Sequence, residues 1–87
     1  MASDDELFDR VGDVLTSRPG WMYEPSTTPG APPSWCLDSR GEIRLSVSVN
    51  HGAITVYLPD QDQEISVDDL DGLTNWIEAN EARFLRP

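Results

Sequence analysis

His51 is the only histidine in this chain and Cys36 the only cysteine, so these two residues limit the chemistry open to it. A Ser–His–Asp triad or a histidine acid–base pair would have to use His51. It precedes Gly52 between two alternating runs, at the tip of an expected hairpin, where water screens it and nothing fixes its orientation. Cys36 has no second cysteine with which to form a disulfide or resolve an oxidised thiol. With one residue of each type, a transition-metal site would have to be built mostly from carboxylates, which excludes structural zinc.

Carboxylates are plentiful. Asp60, Asp62, Glu64 and Asp71 fall at the first, third, fifth and twelfth places of a calcium-loop frame, with apolar Val67 at the eighth. Ile65 stands where that loop needs glycine, Asp71 is shorter than the bidentate glutamate, and a strand pattern precedes the segment. A turn running into a helix start fits these residues better. No catalytic group, cofactor site or metal site is therefore expected, and the chain reads as a non-enzyme.

Charge is the other chemical signal. Sixteen Asp and Glu face six arginines and no lysine, for a net charge of -10. Such a balance opposes direct contact with nucleic acid or anionic lipid. It suits either solubility, a partner with a basic surface, or mimicry of a phosphate backbone. No run approaches the ~20 apolar residues of a membrane helix, and the first residues lack the basic-then-apolar order of a secretory leader. With one unpaired cysteine, a cytoplasmic setting is expected.

Eighty-seven residues suit one domain spanning 1–87. Leu7, Phe8, Val11, Val14 and Leu15 form one apolar stripe, which predicts a helix over 4–16, with Ser3 and Glu6 at capping-box spacing. Arg18-Pro19-Gly20 stops it. Trp21 to Glu24 is expected to be extended. Residues 25–33 hold four prolines and one glycine and read as a surface loop.

From Ser34 to Val67 the apolar period is two. A two-residue His51-Gly52 turn sets Val49 against Ile54, Val47 against Val56 and Leu45 against Leu58, all on one face. A three-residue turn over Ser39, Arg40 and Gly41 sets Leu37 against Ile43 and Trp35 against Leu45. Gln63 to Val67 forms a further short strand. Asp68 to Asp71 opens a second helix with Leu70, Leu73, Trp76, Ile77 and Phe84 on one side, and Arg83 and Arg86 at its end. The expected fold is α+β: an antiparallel β-meander of three to five strands with an N-terminal and a C-terminal helix on one face.

The sheet's other face would then carry Cys36, Arg44, Ser46, Ser48, Thr55 and Tyr57. Small hydroxyls around a Tyr and an Arg make a flat surface of the kind that contacts proteins. Trp21 and Tyr23 form a second patch, or else a lid on the core. The leading expectation is a small acidic protein-interaction module: an adaptor, regulator or inhibitor of a protein partner, itself a monomer or weak homodimer. The alternative is an acidic DNA mimic that inhibits a nucleic-acid-binding protein, of the kind phage and mobile elements encode.

Overall fold

A computed structural model describes residues 4–25, 29–30, 32–39 and 41–85; the side chains of Ser39, Phe84 and Leu85 lie outside it, as do Ser3, Arg40 and Arg86. The elements run α1 (Asp4–Thr16), β1 (Trp21–Glu24), β2 (Ser34–Ser39), β3 (Glu42–Asn50), β4 (Ala53–Leu58), β5 (Gln63–Val67) and α2 (Leu70–Leu85). All five strands join one antiparallel sheet in chain order, so the α+β meander reaches the upper end of the expected strand number. The described part of the proline segment connects β1 to β2 as a loop.

Period-two alternation dictates the two faces of the sheet. Leu37, Leu45, Val47, Val49, Ile54, Val56 and Leu58 point inward and are buried with Trp21. Val11 and Leu15 of α1, and Leu73 and Ile77 of α2, complete that core, so both helices cover the same face. Asp69 opens α2 by accepting from the Gly72 amide at 2.8 Å, which satisfies one of the donors a helix start leaves unpaired.

The hairpin at His51-Gly52 has the expected pairing, with Val49 opposite Ile54 and Val47 opposite Val56. Both turn residues have positive φ, 52° and 77°, the left-handed pair that this tight turn requires. The hairpin before it differs from expectation. Ser39 pairs with Glu42 and Asp38 with Ile43, but Leu37 pairs with Leu45 and Trp35 with Val47. The turn is thus one residue shorter than the spacing suggested, and Arg44 is an extra residue bulged out of β3. Leu37 and Trp35 stay on the core face, whereas Ile43 leaves it and is 43% exposed.

Helix α1 carries a glycine in mid-course, and the aromatic residues explain it. A Cβ on Gly12 would collide with the Trp35 indole, which lies directly against the helix backbone. Trp35 stacks on Phe8 with ring centroids 5.0 Å apart, meets Tyr23 edge-on at 5.4 Å, and donates its indole N–H to the Phe8 carbonyl at 3.0 Å. This cluster ties α1 to β1 and β2.

Candidate functional site

Among the described residues no helix lies on the sheet's outer face. Two rows cross it from strand to strand: Glu24, Ser34, Ser48, Thr55 and Ser66, then Met22, Cys36, Ser46, Tyr57 and Glu64. These rows bring together Ser46, Ser48, Thr55 and Tyr57, the residues that the alternation nominated. All four are half-buried by their neighbours, so the face is a flat, even surface and not a cleft.

Two large side chains at one end of this face are held by carboxylates. The Tyr57 hydroxyl donates to Asp62 at 2.9 Å. That hydrogen bond, with the charges of Asp62 and then Glu64 and a little burial, raises the Tyr57 phenol above its ordinary value of 10.0. Arg44 reaches Asp60 and Glu42, each at 3.3 Å, while its Nε is shut away from water without a partner. The bulge accounts for Arg44's place. Asp60 and Asp62 are thereby engaged with side chains. Among the described residues no three His, Cys, Asp or Glu lie together as a metal could use them.

Cys36 lies in the outer row as expected, yet it is only 2% exposed. Met22 and Ser46 stand beside it on the adjacent strands, and its sulfur lies 3.5 Å from Ser34 Oγ and 3.8 Å from Ser46 Oγ. A thiol so enclosed is a packing residue, inert toward large reagents. His51 is exposed at its turn, and its backbone N–H, like that of Gly52, donates to the carboxylate of Asp4, at 2.9 and 2.8 Å.

The second nominated patch separates into two roles. Trp21 is 7% exposed and belongs to the core; its indole N–H donates to Glu81 at 2.7 Å, and Arg18 pairs with the same carboxylate at 2.8 Å. Alternation explains the burial, because Trp21 and Leu37 are cross-strand partners on the inner face. Tyr23 is 51% exposed at the sheet's edge. In the sequence Glu81 reads with Glu78 as part of a solvated acidic stripe, which the bonds to Trp21 and Arg18 correct, and Gly12 went unread although a glycine inside a helical stripe is itself a sign of close packing.

No family model, curated protein or solved structure matches this chain. Two shallow clefts flank the start of α1. One, of about 300 Å³, lies between Leu7, Ile54 and Leu70 with Asp68, Asp69 and Asp71 around it. The other is lined by Asp4, Asp5, Phe8, Gly30, Pro32, Pro33, Val49 and Asn50. Neither brings together a nucleophile and a base. No helix among the described residues is long and apolar enough to cross a membrane.

Proposed function

We propose that this chain is a non-enzymatic protein-interaction module that meets its partner with the outer face of the sheet. The observation that carries the reading is that both helices pack on one face, leaving the hydroxyl rows open on the other. Tyr57 and Arg44 are already fixed by Asp62, Asp60 and Glu42, so contact with them costs little side-chain ordering. Glu24, Glu42, Asp60, Asp62 and Glu64 rim the serine and threonine centre. The complementary surface therefore has a basic rim and a centre that accepts and donates hydrogen bonds.

Exposed Asp5, Asp9 and Asp13 favour a second reading. They recur every four residues on α1, one step of about 6 Å along its axis. Such a row supports an acidic mimic directed at a nucleic-acid-binding protein. One experiment tests both readings. The partner is captured from lysate of the source organism by cross-linking, purified, and titrated against the chain and two variants. Ser48→Arg obstructs the sheet face, and Asp13→Arg breaks the acidic row. Loss of affinity with Ser48→Arg alone is the expected result, with some weakening by salt from the charged rim. Loss with Asp13→Arg alone, and a steep fall with salt, would replace the first reading by the second.

A further inference from the structure

The edge of the sheet at β1 differs from the edge at β5 in a way that specifies a ligand. The Asp38 N–H donates to the Gly20 carbonyl at 2.9 Å, and the ladder continues with Trp21 opposite Leu37 and Met22 opposite Cys36. In an antiparallel pair, hydrogen-bonded and non-bonded positions alternate. Gly20, Met22 and Glu24 therefore spend their backbone groups on β2, while Trp21 and Tyr23 turn theirs outward, where the described residues supply no further strand.

Met22 and Tyr23 flank that outward backbone, 45% and 51% exposed, one on each face of the sheet. Edge strands are ordinarily blunted by shortness, charge, a bulge or proline, and β1 and β5 are both short, at four and five residues. β5 follows that rule, with exposed Gln63, Glu64 and Ser66 along its length. β1 has no charge until Glu24 and no bulge, and its prolines, Pro19 and Pro25, lie outside it. They confine any added strand to four residues without blocking them. The described part of the connecting loop does not lie along this edge: Gly30, Pro32 and Pro33 line the cleft at the start of α1 with Val49 and Asn50.

We infer that β1 accepts an extended segment of a protein partner as a sixth, antiparallel strand, bonded to the outward groups of Trp21 and Tyr23. The segment has a basic residue opposite Glu24, followed by two apolar residues opposite Tyr23 and Met22. Charge selects a partner over a second copy, because two chains of net charge -10 repel and Glu24 offers a copy of itself no cation. Backbone bonds supply the affinity and the flanking side chains the selectivity, as in other strand additions. The inference rests on the reading of this chain as a protein-binding module, and adds a backbone contact at the edge that borders the outer face through Met22 and Glu24.

The test is a phage-displayed library of random dodecapeptides selected on the whole chain. Selected peptides are expected to share a Lys or Arg followed by two apolar residues. On adding one, amide exchange measured by NMR should slow about tenfold or more at Trp21 and Tyr23, with no new protection at Ser48 or Thr55. Tyr23→Pro deletes an outward N–H without touching the bonds to β2, and should weaken the peptide about tenfold, whereas Tyr23→Phe should not. The exchange measurement uses the unaltered chain and stands whether or not the proline variant folds. Three results overturn the inference: no peptide is selected, the peptides protect neither amide, or both amides become protected by raising the chain's own concentration. Peptides that perturb Ser48, Thr55 and Tyr57 would remove the edge site while leaving the proposed sheet-face function in place.

Discussion

Replacing Gly12 by alanine tests how tightly the aromatic cluster governs the fold. An ideal Cβ at this position would meet Trp35 Cζ2 and lie 2.6 Å from Cε2 and 2.8 Å from Cη2, where ordinary contact begins at 3.4 Å. The obstacle is a rigid indole, pinned by its bond to the Phe8 carbonyl and by its stack on the Phe8 ring. Either the indole or the helix must move by roughly 1 Å, an overpacking strain of about 1–3 kcal/mol. Losing the indole hydrogen bond adds about 1 kcal/mol. Alanine's better helix propensity returns about 1 kcal/mol. The net expectation is a destabilisation of about 2 kcal/mol, which lowers Tm by about 10 °C in a domain of this size. Thermal and urea unfolding, followed by far-UV circular dichroism, measure it directly. In a Trp35→Leu background, itself less stable, the cost of Gly12→Ala should fall by at least half, because the smaller side chain vacates the contested space. An unchanged or raised Tm for Gly12→Ala alone would refute the reasoning, since helix propensity would then outweigh the contact.

Glu81→Ala should cost about 2 kcal/mol, read as a lower urea midpoint at constant m-value, because it strands the buried Trp21 N–H and leaves Arg18 with only its longer pair to Glu78 at 3.5 Å. Asp4→Ala should cost only about 0.5–1 kcal/mol, since water replaces its bonds at an exposed turn. It should nonetheless speed amide exchange at His51 and Gly52 specifically. In a Tyr23→Phe background, ultraviolet titration should find Tyr57 ionising above 10.0, and Asp62→Asn should bring it back toward that value. The folded phenol's value is raised, so the stability linked to it is fully present below the unfolded value and is lost as pH rises through the folded one. A Tyr57 titration indifferent to Asp62→Asn would disprove that account.

The features that could be read from the sequence are those that repeat. The stripe from Leu7 to Leu15 and the alternation from Leu45 to Leu58 each sample a period several times, so α1, β3 and β4 follow directly. His51-Gly52 was equally legible because glycine chemistry and the apolar faces agree on one turn length. The bulge at Arg44 was not. Ile43 and Leu45 are both apolar, so the alternation looks unbroken there, and period counting has no term for one inserted residue. The outer-face serines, Thr55 and Tyr57 were found by alternation alone. The carboxylates that hold Tyr57 and Arg44 were not, because Asp62 and Asp60 lie in a turn whose course no periodicity determines. The burial of Cys36 likewise depends on the neighbours supplied by β1 and β3, which its own strand cannot reveal.

Arg18 and Trp21 converge on Glu81, so the segment after α1 is joined to a residue of α2 that lies 63 and 60 positions downstream. This long-range link bears on the order in which the molecule matures. A nascent chain can form the His51-Gly52 hairpin early, since its contacts are local, but half the cover over the sheet is α2. Until residues 70–85 leave the ribosome, α1 alone shields the inner face of the sheet, and the part of it that α2 covers stays open to water. A fragment ending at residue 69 should therefore bind a hydrophobic dye and aggregate, and supplying α2 as a separate peptide should suppress both effects.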